Sequence, residues 1–445
     1  MTRTGRTAER VLPALALAVV LAGAATVGVL PDPPPPPRPA AAVEVPVRGT
    51  VLGCTAFRGR DARFRSTTAA VPGSSGPSVV RPVRPAGAGD TVVVDGPGAV
   101  GLAAWRVETS EAGAAMTACP APRTSWWFAG AGGGLDHRSE IVLTNVDEGP
   151  AVVDVDLVGT SGPVDEAALR GVTVPGGGSR VIPVVDVAPR SDEVAVHVTT
   201  SQGRVVAQVR DTVRSVQARS SVGIEWLPPA APPATDVRVV GLVGGADRRT
   251  LLVTNPSDRQ ALVAIQVVTR DGAFVPTGAE EVSVDPGSVA AVDLTRAVGS
   301  AVAAVRLRSD TEILGAVRSQ AGSDIQYAGT ADVATGYLAA PAGGRRTTLV
   351  LQAADQPTGA TATAWSTRGR RLATQGLSVP PSGLATWALP PDAAYVLLEP
   401  DTGRGDLVAA VVASGPGVAG MPLTEVPTTV LQPEVRMRTE EAPQG

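Results

Sequence analysis

The sequence contains no lysine, so all 38 of its basic Lys/Arg positions are arginine. Set against 42 acidic residues, they leave a net charge of -4. No cationic surplus exists to neutralise a phosphate backbone, which excludes a nucleic-acid partner. Histidine and cysteine occur twice each, too few for a His-rich or Cys-rich metal centre. Aromatic residues make up 3% of the chain, leaving little for the stacking platforms that sugar-cleaving clefts commonly use. Charged residues are also sparse, and long helices are disfavoured by 50 Gly and 40 Pro. A Lys-free sequence rich in Ala, Gly, Pro and Val carries a GC-rich coding bias, so its arginines are not by themselves evidence of bidentate recognition.

Long apolar runs are absent with one exception. Val11–Leu30 is uncharged and follows Arg3, Arg6 and Arg10. As a helix it has the length of a bilayer's hydrocarbon core, about 30 Å. Two expectations follow. The run is a retained signal anchor with its arginines on the cytoplasmic side, or a signal peptide cleaved after the small residues Ala22-Gly23-Ala24. In both cases the bulk of the chain is extracytoplasmic. Residues 1–10 form the Arg-rich cytoplasmic end, and residues 31–42 a Pro-rich stalk in the polyproline II conformation. Cys54 and Cys119 then lie in an oxidising compartment, where a disulfide is expected. Closing that loop contributes about 4 kcal/mol in the chain-entropy model.

Past the stalk the chain is a series of short Val, Leu, Ile, Ala and Thr runs bounded by Gly, Pro, Asp, Asn and Ser, which predicts strands joined by turns. In AVVDVDLVGT, Val153, Val155 and Leu157 alternate with Asp154 and Asp156, giving one dry face and one wet. The segments also repeat. Asn145 and Asn255 stand in matching contexts 110 residues apart, the PGG and PGS turns at Pro175 and Pro286 follow in order, and a third, shorter copy carries Gln352 at the place read as equivalent to the two Asn. A repeat of this size matches a β-sandwich rather than a propeller blade or a solenoid turn. The expected architecture is all-β, with tandem Ig-like β-sandwich domains after an N-terminal transmembrane or signal helix. The sandwiches span 123–224, 237–336 and 345–433, with linkers at 225–236 and 337–344 and a disordered tail at 434–445. Region 43–122 is a small disulfide-containing β region, either a further domain or an added layer.

Each candidate for chemistry has a plainer account. Asn145, Asp147 and Glu148 offer oxygen ligands for Ca²⁺, but Asn and Asp leaving a strand are first of all turn formers. The glycine runs at 129–134 and 241–245 lack the Gly-Lys-Ser/Thr of a phosphate loop and are followed by a strand rather than a helix. His137 and His197 are the only available bases, His197 falls on a polar strand face, and no Gly-x-Ser-x-Gly elbow accompanies either. Asp154, Asp156, Glu140 and Glu193 could supply paired carboxylates, yet alternating acids on a strand are ordinarily its wet face. The one dense aromatic cluster is Trp126-Trp127-Phe128, with Trp226 farther on. Adjacent strand residues face opposite ways, so Trp127 is expected in the core and Trp126 at a domain junction. Together with Trp226 they are the candidate interaction surface.

The order of Arg-flanked apolar segment, proline stalk, WWFAGAGG (126–133), LTN (143–145) and TNP (254–256), with the two turns above, resembles a family of envelope proteins of high-GC Gram-positive bacteria, the domain of unknown function five-seven-one-nine. The resemblance covers nearly all of the chain and implies no activity, cofactor or catalytic residue. The resulting expectation is a non-enzymatic, membrane-anchored extracytoplasmic protein, a scaffold or adhesion module. It holds the membrane through residues 11–30 and contacts an envelope protein or glycan. The alternatives are a cell-wall or carbohydrate-active enzyme, or an accessory subunit of an envelope glycosyltransferase or transporter.

Overall fold

The computed structural model describes residues 43–47, 49–54, 63–70, 81–83, 92–97, 101–110, 113–134, 137–215, 220–342, 346–401, 403, 405–415 and 417–432. The apolar run 11–30, the stalk 31–42 and the tail 434–445 lie outside them. Among the described residues no helix is long and apolar enough to cross a membrane. Val45–Val430 form one compact body. Of the other body, residues 43–44 and 431–432 are described and lie in strands.

The body is built from β-strands, and its described helical segments are three single turns, Ala167–Leu169, Val184–Val187 and Thr295–Val298. Alternation decides which face is buried. Along Ala151–Gly159, Val153, Val155 and Leu157 are in the core and Asp154 and Asp156 face outward.

Three modules share one plan. In module 1, Ser125–Ala131, Val194–Gln202 and Ala151–Gly159 form one sheet with short strands at Gly162–Val164 and Val172–Val174. Ser179–Pro183, His137–Thr144, Val206–Ser215 and Ser220–Leu227 form the other. Module 2 has the same order, except that the continuous strand Ala303–Ala321 serves both sheets. In module 1 that strand is broken at Gly203, in the left-handed region with φ 70°. Module 3 repeats the plan with Leu338–Pro341, Tyr395–Pro400 and Thr358–Trp365 in one sheet and Arg346–Ala353, Leu407–Ser414 and Val418–Pro422 in the other.

The region whose status the sequence left open follows the same topology. Gly49–Cys54 pairs with Val92–Pro97, which pairs with Arg81–Val83. Arg63–Ala70 pairs with Leu102–Ser110, which pairs with Gly113–Ala118. This is the strand order of module 3, so the region is a fourth, N-terminal module rather than an added layer. Cys54 and Cys119 join its first strand to the end of its last, buried beside Leu52, Leu102 and Ala104.

The four modules close into a ring. The last strand of each, Gly113–Ala118, Ser220–Leu227, Asp324–Gly329 and Val418–Pro422, packs against the next, and the fourth packs against the first. The N-terminal module and module 3 share one continuous core, in which Trp105, Val107 and Met116 join Leu349, Leu398 and Val411. The segments read as linkers carry strand residues: Glu225–Leu227 ends one axial strand, Ala234–Asp236 opens module 2 and Leu338–Pro341 opens module 3. Prolines at 228, 229, 232 and 233 mark the true connection, which is shorter than the 225–236 expected.

The glycine runs are packing devices. Gly130 and Gly241 are each the extra residue where the register shifts, with φ of 103° and 87°. The bulged strand lets the next module approach closely. A Cβ at Gly130 would stand 2.8 Å from Tyr327 Cε1 of module 2, and one at Gly241 would stand 2.6 Å from Ala410 Cβ of module 3. Gly130→Ala therefore combines backbone strain with a clash and should lower stability by about 2 kcal/mol. Gly376→Ala, at an open position, should change it by less than about 0.5 kcal/mol. Thermal or chemical denaturation of the two variants checks both values.

Candidate functional site

The axis of the ring is lined by the four last strands, and two carboxylates sit on it. Glu225, on Ser220–Leu227, and Asp324, on Asp324–Gly329, are both buried. Asp324 Oδ2 accepts the backbone N–H of Ala114 at 3.0 Å and of Val418 at 2.8 Å, and Oδ1 accepts its neighbour Ile325 at 3.0 Å. Glu225 Oε1 accepts from Met116 at 2.9 Å and Trp226 at 3.0 Å, and Oε2 from Gly420 at 3.3 Å. Each acid from a middle module thus holds one N–H of the first module's axial strand and one of the last module's. The Asp324 side chain fits because Gly113 and Gly417 leave room: a Cβ at either would fall within 2.5 Å of one of its oxygens. Burial raises Asp324 to about 6, with its backbone N–H partners acting in the opposite sense. It raises Glu225 well above the usual carboxylate range, opposed by the Met116 and Trp226 N–H groups.

At one end of this axis lies a pocket of about 110 Å³ to which all four modules contribute. Its apolar wall includes Met116, Leu227, Pro228, Leu338, Met421 and Leu423, and Arg123, Asp332 and Glu425 are the charged lining residues. Val333 stands 37% exposed in the lining.

A second polar cluster joins modules 1 and 2. Asp211, fully buried, accepts from Ser139 Oγ at 2.7 Å and Tyr327 OH at 2.9 Å and lies 2.9 Å from His137 Nε2. Arg318 of module 2 forks onto Glu193 of module 1 through bonds of 2.6 and 3.1 Å. Serine, histidine and aspartate are therefore close, but Ser139 donates to Asp211 rather than to His137 and accepts from Gly132 N. The histidine is not placed to take the serine proton, so the group is an interdomain bond network and not a nucleophilic triad. Burial works to lower the His137 pKa, and the adjoining Asp211 carboxylate outweighs it, leaving the ring raised.

The tryptophans are placed opposite to expectation. Trp126 is buried in the module 1 core beside Phe128, and its Nε1 donates to Val205 O at 2.9 Å. Trp127 is half-buried on the outer face and stacks on His197 at 3.7 Å with an interplanar angle of 3°. Phe128 sets the parity, since residues 126 and 128 share a face. Trp226 is buried at the junction with the N-terminal module, donating to Glu108 Oε2 at 3.3 Å. Of the three, only Trp127 reaches the surface. His197, read as solvated, is half-buried, and burial lowers its pKa against the pull of Asp156.

The acids singled out in the sequence are dispersed. Asp154 caps Gly171 N, Asp156 pairs with Arg170, and Glu193 holds Arg318. Glu140 is raised by burial, with Arg210 acting against the shift. Asn145 and Asn255 brace turns: each amide oxygen accepts the N–H two residues on, and each NH₂ reaches a carbonyl four residues on. Asp147 is held by Arg204 at 2.7 and 2.9 Å. Gln352 is not their counterpart. Asn145 N donates to Gly178 O as Ala353 N donates to Gly383 O, so Ala353 occupies the Asn position. Among the described residues no cluster of three or more potential metal ligands occurs.

Glu225 and Asp324 are the residues that sequence reasoning missed. Glu225 lay in a presumed linker, and the pairing of two modules' acids on one axis has no local signal.

These features define an all-β protein of repeated two-sheet modules whose buried acids bind module to module. The model of a family of unknown function, DUF5719, matches residues 85–391, and the chain belongs to that family. No curated protein matches it.

Replacing Asp211 by Asn sets an amide NH₂ among groups that donate to a carboxylate. The variant should lose about 3 kcal/mol of stability in chemical denaturation. The raised His137 pKa means that its contribution is full below about 6.5, the ordinary histidine value, and is lost as pH rises through the folded value. Asp211→Asn should flatten that part of the stability–pH profile.

Proposed function

We propose that this protein is a membrane-anchored extracytoplasmic binding or scaffold protein, non-enzymatic, whose tandem Ig-like modules present the axial pocket to a protein of the cell envelope. The pocket carries the reading, because it is a concave site to which all four modules contribute. Its Met-, Leu- and Pro-rich wall suits an apolar side chain of a protein partner better than a glycan. Trp126, the aromatic residue of the lining, is buried in the module 1 core and offers little exposed ring face. The Arg-flanked run Val11–Leu30 supports the membrane anchor. The acid and histidine clusters are engaged in bonds between modules, which argues against hydrolysis at those positions.

Crosslinking of the tagged full chain in intact cells, followed by mass spectrometry, tests this. The expected result is one stoichiometric envelope protein captured by the unmodified chain, with the Val11–Leu30 peptide retained. Val333→Arg, which puts charge at the pocket, should abolish capture, whereas Val181→Arg, on the exposed surface of module 1, should not. An N-terminus processed after Ala24 with no protein captured would overturn the reading in favour of a secreted glycan-binding or carbohydrate-active protein.

A further inference from the structure

Consecutive modules are joined by covalent connections and by polar bridges. Glu108 with Arg210 links the N-terminal module to module 1, Glu193 with Arg318 links modules 1 and 2, and Arg306 with Asp355 links modules 2 and 3. The remaining seam, between the first module and the last, has no chain connection. Its axial strands Gly113–Ala118 and Val418–Pro422 hold no ionisable side chain. Instead, alternate N–H groups on each strand, Ala114 and Met116 on one, Val418 and Gly420 on the other, point at Asp324 and Glu225.

We propose that Glu225 and Asp324 form a proton-sensitive clasp that closes the ring between its first and last modules, holding it tighter in mild acid than at neutral pH. Each carboxylate bridges the seam, so opening it breaks the Gly420 bond to Glu225 and the Ala114 bond to Asp324 and exposes both acids to water. No arginine is bonded to either acid among the described residues. Arg106 and Glu108 on Leu102–Ser110, Arg210 and Asp211 on Val206–Ser215, Arg318 on Ala303–Ala321 and Tyr327 beyond Asp324 are the titratable groups of strands packed nearby. Ala303–Ala321 also carries Arg306, Arg308, Asp310 and Glu312, and Ala234–Leu242 carries Asp236 and Arg238. Arg210 is taken by Glu108, Arg318 by Glu193, Arg238 by Asp406 and Asp236 by Arg306, while Asp211 serves His137, Ser139 and Tyr327. The pair therefore meets backbone donors and another acid, without a counter-charge.

The sign follows from the two states. In the open seam both carboxyls titrate near their ordinary value of about 4. In the closed seam burial holds Asp324 at about 6 and Glu225 well above the ordinary range, with Asp324 pushing Glu225 further up. Raised closed-state values stabilise the closed form fully below about 4, and that stabilisation is lost as pH rises through about 6. A neutral carboxyl keeps an oxygen that accepts N–H bonds, so protonation removes the buried charge without removing the acceptor.

Hydrogen exchange of the full chain at pH 5 and pH 7.5, with rates divided by the intrinsic rate at each pH, reads the opening directly. The expected result is that the opening fraction at Ala114, Met116, Val418 and Gly420 is about tenfold lower at pH 5 than at pH 7.5. Amides of Ala261–Thr269, remote from the axis within module 2, should show no such change. In the double variant Glu225→Gln, Asp324→Asn, which keeps amide oxygens as acceptors, the tenfold difference should vanish. Equal or greater axial opening at pH 5 in the unmodified chain would overturn the proposal, as would the same change at the remote amides or a tenfold difference surviving in the variant. The comparison of axial with remote amides decides the matter even if the variant fails to fold.

Discussion

The ring depends on satisfying backbone N–H groups where two strands meet without forming a ladder. A buried donor left unpaired costs about 1–3 kcal/mol, and four modules converging on one axis bring several such donors together. Ordinary sheet pairing could satisfy them only by merging the modules' sheets. Carboxylates on Glu225 and Asp324 meet the need from the side, each accepting from strands on either side of the closing seam. Gly113 and Gly417 follow from this, because a Cβ at either would occupy the place of the Asp324 carboxylate.

The seams differ in what holds them. Three are crossed by the chain and carry Arg–acid pairs of differing burial. Glu108 and Arg210 are nearly enclosed, whereas Asp355 is open to water and its pair with Arg306 is correspondingly screened. The fourth seam has a continuous apolar core around Trp105, Met116 and Leu398, a backbone bond from Val47 N to Thr428 O at 3.0 Å, a bond from Trp105 Nε1 to Thr424 Oγ1 at 3.4 Å, and the axial acids. Apolar contact is indifferent to pH, so the acids supply the pH response of that seam. The repeats supply a common frame, and specialisation lies in the junctions.

Much of this frame was legible in the sequence. Alternation in AVVDVDLVGT, the 110-residue spacing of Asn145 and Asn255 and the recurring Pro-Gly turns report strands, faces and repeats, because each is a local consequence of backbone geometry. The N-terminal module was not legible as a copy, since its strand order is a property of pairing and its segments share little with the others. Parity alone does not say which tryptophan is inside; Phe128, fully buried, does, because Trp126 shares its face and Trp127 does not. Gln352 resembles Asn chemically, but backbone pairing puts Ala353 at the Asn position.

The candidate site is hidden from sequence for a more general reason. Glu225 and Asp324 are adjacent only because two modules turn their last strands to one axis, and neither has a motif around it. His137, Ser139 and Asp211 make the converse point: the residue types of a nucleophilic triad are within bonding distance, yet the proton connections run to the wrong acceptor. Composition alone could have suggested a catalyst there and nothing at the axis. Three-dimensional placement reverses both, because a buried acid acquires a role from the groups that it meets, and here those groups are other modules' backbones.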